Sequence, residues 1–159
     1  MIIADTGPLI AFARIARLDL LRHVVEQISI PEGVYRELVL KGKGKPGAAE
    51  FENVAWIQRR GLRDPTALAL LPTFLHPGET EAILLAEELR VPLLIDEHRG
   101  RKVALDRGID VLGSLAILAQ AKRRGFIDRA KPLLDALLST AYWIDDDLVL
   151  GFLSEVGEA

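Results

Sequence analysis

Cysteine is missing from the 159 residues of this chain. That excludes disulfides, thiolate zinc sites and cysteine nucleophiles, and leaves oxygen chemistry for any metal. An excess of positive charge is missing too: acids outnumber bases and the formal net charge is -3, which argues against coating nucleic acid by bulk electrostatics. The opening MIIADTGPLIAFARIARLDLL has neither a basic leader nor a long apolar run. It therefore reads as neither signal peptide nor membrane span, and a soluble, cytoplasmic protein is expected. No low-complexity tract or repeat period stands out. The three histidines, His23, His76 and His98, lack a zinc spacing and read as structural or surface residues. Lys41-Gly42-Lys43-Gly44 lacks the spacing of a phosphate-binding loop, and Gly113-Ser114-Leu115 is not a nucleophile elbow.

What remains is a chain half apolar in composition, long enough for one domain with a sizeable core. Short β-branched runs alternate with longer helical patterns, the signature of βαβ units and a mostly parallel sheet, hence an α/β fold in three layers. Strands are expected at Ile2–Ala4, Ile28–Ile30, Val54–Ile57, Val91–Ile95 and Ile109–Leu112. Helices are expected at Leu18–Val25, from Pro31 through Val39, from Pro77 to Leu89, at Arg99–Arg107, Ser114–Arg124, Pro132–Leu138 and Asp147–Val156. Pro65 and Pro72 interrupt the stretch from Gly61 to Pro72, which stays unassigned. Lys41 to Gly47, with Lys43 and Lys45, reads as a basic surface loop.

Two acids end strands. Asp5 follows the first, and Asp96 follows the continuous apolar run Val91–Ile95. In an open parallel sheet, ligands bind beyond the carboxyl ends of the strands, so both acids face one crevice. Magnesium and manganese need hard oxygen ligands, and carboxylates from separate elements supply them. Each acid also has a plainer explanation. Asp5 suits a helix cap, Glu79 and Glu81 suit a first helical turn, and Glu37 suits a solvated helix face. Asp96 is harder to explain away, because an acid ending an apolar strand must lie at the rim of the sheet.

Taken in order, Ile2-Ile3-Ala4-Asp5-Thr6-Gly7-Pro8, Pro31-Glu32-Gly33-Val34-Tyr35-Arg36-Glu37, Gly78-Glu79-Thr80-Glu81 and Leu93-Leu94-Ile95-Asp96-Glu97 resemble the PIN domain, a small metal-dependent nuclease fold. Arg99-Gly100-Arg101-Lys102 and Gly113-Ser114-Leu115-Ala116 are similar to a little-characterised prokaryotic subfamily of it. The resemblance covers nearly the whole chain. It implies a site of three or four acids, carried over onto Asp5, Glu37, Glu79 and Asp96, that hold Mg2+ or Mn2+ for cutting RNA. Glu97 rivals Asp96 as ligand, and Glu81 rivals Glu79. Glu79 stands where the commoner toxin pattern has aspartate, so a longer arm reaches the metal there. For the toxin subset the resemblance also implies a small antitoxin partner. An inactive PIN-like interaction module is the alternative.

Arg99, Arg101 and Lys102 follow Asp96 closely enough to line the same rim and meet RNA phosphates. Lys122, Arg123 and Arg124 end a helix, where the dipole accounts for them. Two tryptophans, two tyrosines and five phenylalanines are few, so base stacking is not expected as the main grip. A haloacid-dehalogenase-like phosphoryl transferase needs a second aspartate two residues after the first, where this chain has Gly7. A receiver domain needs paired acids after its first strand. Trp143, Leu148, Leu150 and Phe152 are expected to cover the core, with a homodimer surface as the other use.

Overall fold

A computed structural model describes residues 1–44, 48–52, 54–140 and 142–159 of the chain. Lys45, part of the expected basic loop, lies outside them. The architecture is the expected α/β one. Five parallel strands, β1 (Ile2–Ala4), β2 (Ile28–Ile30), β3 (Ile57–Arg59), β4 (Leu93–Leu94) and β5 (Val111–Leu112), form one sheet in the order β3-β2-β1-β4-β5.

Every residue of β1, β2 and β4 is buried, as expected for strands covered on both faces. The helices are α1 (Thr6–Arg14), α2 (Leu18–Val25), α3 (Glu32–Tyr35), α4 (Ala48–Glu52), α5 (Pro77–Leu89), α6 (His98–Asp106), α7 (Ser114–Arg123), α8 (Lys131–Leu138) and α9 (Asp146–Glu155). α1, α2, α7 and α8 pack among themselves, while α5 packs on α3, α6 and the strands β1 and β4.

Chain order reverses direction across the β1–β4 pair, which makes the carboxyl ends of these two strands the natural ligand crevice. Their register places the acids. Ala4 is opposite Leu94, and the Asp5 N–H donates to the Leu94 carbonyl at 2.9 Å. Asp5 is thereby pinned to the rim one step beyond the ladder, beside the strand that ends in Asp96.

Three local expectations shift. β3 begins at Ile57 rather than Val54, because its register is set by β2, where Ile28 faces Ile57 and Ile30 faces Arg59. The Gly61–Pro72 stretch contains a 3-10 helix at Pro65–Leu70, capped by the Asp64 carboxylate accepting from the Thr66 N–H at 3.2 Å. The C-terminal apolar residues divide. Phe152 is buried, but Trp143, Leu148 and Leu150 are 80%, 61% and 64% exposed and do not cover the core. The core-facing stripe of α9 runs through Val149, Phe152 and Leu153 to Val156 just past its end, at helical spacing, with Phe152 buried and the others partly so, and Leu148 and Leu150 fall outside it.

Candidate metal centre

Asp5 occupies the N-cap position of α1, yet its side chain makes no capping hydrogen bond. The plain explanation of this residue is therefore not the one the fold uses. Its carboxylate is buried, and burial pushes its pKa up to about 7, against the pull of the Thr6 N–H and with the charges of Glu79, Glu37 and Asp96 adding to the rise.

Glu79, in the first turn of α5, is buried as well. Burial first, then the charges of Glu97 and Glu37, push it up to about 7. Proline at the start of α5 suits its first turn, where an N–H is free in any case. This turn aims Glu79 at the strand ends instead of at solvent.

Glu37 sits in a π-helical turn, Arg36–Leu40, that continues α3. Such widened turns recur at functional sites. Its carboxylate accepts from the Thr6 hydroxyl at 2.5 Å and from the Gly78 N–H at 3.2 Å, tying α1 and the start of α5 to the turn. Glu81, the rival of Glu79, accepts a short hydrogen bond from the Gly33 N–H and is committed to joining α5 to α3.

At the end of β4, the Asp96 carboxylate accepts from the Ser114 N–H at 2.7 Å and from the Ser114 hydroxyl at 2.6 Å. Gly113, at the N-cap of α7, has no side chain to cap with, and Asp96 does so from another element. Glu97 caps α6 through the Gly100 N–H at 2.7 Å. An added Cβ on Gly100 would lie 3.1 Å from Glu79 Oε2 and 3.5 Å from Glu97 Oε2, so the two glutamates converge over this glycine.

The sequence does not mark Thr6 or Tyr142 as site residues, and Ser114 stands in it only as a nucleophile that lacks its elbow. Ser114 carried a signal as the first residue of a helix behind a glycine. The Tyr142 phenol lies beside Asp96 and Ser114, and burial and the Asp96 charge push its pKa up. Nothing local marks Tyr142, which comes from a distant part of the chain.

Of the three expected phosphate contacts, Arg101 stays at the rim, donating to the Ile95 carbonyl at 2.8 Å. Arg99 lies over the Phe74 ring at 5.6 Å, and Lys102 pairs with Asp106 at 3.1 Å in an exposed i,i+4 bridge. Neither is drawn to the acids. Lys122 is bound by the Val156 carbonyl and Glu158, and Arg124 by the Val24 carbonyl. His23 stacks on Phe126 at 5.0 Å.

Asp5, Glu37, Glu79, Asp96 and Glu97 thus share one end of the sheet. Among the described residues, none of them forms an ion pair with a lysine, arginine or histidine. Their chemistry and uncompensated charge fit a hard divalent cation. No three of the described acidic or histidine side chains already converge on one point as a metal cage, because Glu37, Asp96 and Glu97 are turned toward hydrogen-bond donors of the protein.

Among the described residues, no helix is long and apolar enough to cross a membrane. No curated protein matches the chain. A family model described as a PIN domain, a nuclease-type fold, matches residues 1–158. That match runs through all five strands and every acid of the cluster, and the chain belongs to the PIN-domain family.

Proposed function

We propose that residues 1–159 act as a single domain that hydrolyses RNA phosphodiesters with a divalent metal, Mg2+ or Mn2+. The observation that carries this reading is the pair Asp5 and Glu79. Asp5 at the carboxyl end of β1 and Glu79 in the first turn of α5 are buried carboxylates with pKa values pushed to about 7, and neither forms an ion pair among the described residues. Keeping such groups next to Glu37, Asp96 and Glu97 costs stability unless a cation joins them.

Asp5, Glu79 and Asp96 would hold the ion, with Glu97 at its edge. When bound, the ion lowers the pKa of water and offsets the charge that builds on the phosphate. Glu37, oriented by Thr6 and Gly78, positions the water for in-line attack. Ser114 fixes the Asp96 carboxylate. Arg101 faces the phosphate of the RNA strand. As a toxin the protein would have a small antitoxin that covers these acids.

A second reading, an inactive interaction module, is favoured by the lack of a ready-made cage among the described residues. Calorimetric titration with manganese separates the two. Saturable binding to the wild type, lost in folded Asp5→Asn and Asp96→Asn variants, is the expected result. A wild type indifferent to manganese would sink the metal site and favour the module.

A further inference from the structure

Glu37 rides on the widened turn Arg36–Leu40, which the Lys41 N–H closes by donating to the Arg36 carbonyl at 2.8 Å. That bond reaches five residues back, where an α-helix reaches four. Each residue of such a turn advances through a smaller angle, so Glu37 leaves α3 in a direction that an α-helical continuation would not give it. The same widening brings both Leu38 and Val39 into the core and leaves Leu40 outside.

Gly42 stands two residues past the end of this turn. A Cβ there would run into the Leu38 carbonyl oxygen and would lie 3.4 Å from the Glu37 carbonyl oxygen. Both obstacles are backbone atoms of the turn, so no side chain can swing aside to make room. Gly78 is the opposite case, since what a Cβ meets there is the end of the Glu37 side chain. Gly61 is neutral, with nothing within 4 Å of a Cβ at its position. Of the three, only Gly42 owes its lack of a side chain to the shape of the turn.

We infer that Gly42 is a positioning residue of the metal centre. By letting the Leu38 and Glu37 carbonyls close over its Cα, it keeps the turn wide, and the wide turn holds the Glu37 carboxylate against the Thr6 hydroxyl and the Gly78 N–H. Its influence on an ion rests on the metal-site reading above; its hold on Glu37 does not.

The Gly78 N–H donates to Glu37 Oε1 at 3.2 Å, so its amide resonance in the metal-free protein reports where the carboxylate stands. Gly42→Ala is expected to shift that resonance in the direction that Glu37→Ala shifts it, and Gly61→Ala is expected to leave it in place. In calorimetry, Gly42→Ala should bind manganese several-fold more weakly than wild type. Added to Glu37→Ala it should cause no further loss, because two changes that act through one group do not add. A general loosening of the fold would weaken both backgrounds alike. Deletion of Leu40, an exposed residue of the turn, removes the extra residue without touching Gly42 and is expected to release the Gly78 N–H in the same way.

In folded Gly42→Ala, an unmoved Gly78 resonance overturns the inference, and so does a loss of manganese affinity that persists unchanged without Glu37. Should Gly42→Ala not fold, the Leu40 deletion decides, since an unmoved resonance there means that the width of the turn does not place Glu37. A wild type indifferent to manganese, with a Gly78 resonance that follows Gly42→Ala, would keep the positioning and reject the metal site. Saturable manganese binding, with resonance and affinity both unmoved by Gly42→Ala, would do the reverse.

Discussion

Asp5 and Glu79 take up protons on folding, since their pKa values rise from 3.8 and 4.5 to about 7. A carboxylate raised in this way contributes its stability below the unfolded value and loses it as pH climbs through the folded one. The metal-free protein should therefore lose stability as pH rises between about pH 4 and pH 7. Scanning calorimetry in EDTA should record a Tm that falls across this window, with Asp5→Asn flattening the fall. Manganese competes with the same protons, so its affinity should increase with pH up to about 7. A Tm indifferent to pH would remove the buried charges from the account.

Gly78 gives a second test at the scale of one residue. A Cβ there would come 2.5 Å from Glu37 Oε1 and displace the far end of a flexible side chain. The helix meanwhile gains up to ~1 kcal/mol from alanine over glycine. Gly78→Ala should leave the Tm within a few degrees of wild type but weaken manganese binding several-fold, because Glu37 is pushed off the Thr6 hydroxyl. Unchanged affinity with Glu37 displaced would remove that residue from the site.

Between elements, the junction that matters most is the end of β4 against the start of α7. Asp96 there caps a helix and, in the proposed reading, would hold the ion, and Ser114 satisfies it twice. Ser114→Ala removes one hydrogen bond to a charged group, worth about 1.5–3 kcal/mol. We expect a loss of that order in denaturant unfolding together with weaker manganese binding. Ser114→Thr retains a hydroxyl and should recover part of both.

Elements were legible where a local signal was strong. α2 was read at its observed bounds, β1 and β2 likewise, and α5 from its proline start. β3 was misplaced because an edge strand takes its register from its neighbour, whereas α9 stands within one residue of the expected bounds and only its burial differs, because its apolar residues outnumber the stripe that is buried. Asp5 and Asp96 were legible as rim acids from strand ends alone. Thr6, which holds Glu37 from 31 positions away, and Tyr142 beside Asp96 were not, since such meetings exist only after the layers pack.

For the molecule as a whole, acid acts through a different group from the two at the centre. Glu158 accepts from Lys122 at 2.8 Å and from the N–H groups of Ala130 and Lys131, so α7, the start of α8 and the residues after α9 are held by one carboxylate. The Lys122 hydrogen bond first, then those two N–H groups, bring its pKa down to about 2. A depressed carboxylate contributes above its unfolded value and loses that contribution as pH falls from about 4.5 through about 2. Acid titration should therefore expose the α7–α8 region to hydrogen exchange below pH 4.5. Glu158→Gln should make the protection there, taken relative to the intrinsic exchange rate at each pH, nearly independent of pH.

Composition and pattern were enough to determine an α/β chain with acids at the ends of two strands, because burial on both faces forces continuous apolar runs and a strand must stop where charge begins. The PIN resemblance added the order of the acids. Which of them stand together was decided by the tertiary structure. The β1–β4 register set Asp5 beside Asp96, burial raised Asp5 and Glu79, and Glu81 was drawn away to Gly33. The same packing left Trp143 bare beside the acids. A scarcity of aromatics in the sequence limits how many there are, whereas only the fold decides where each one stands.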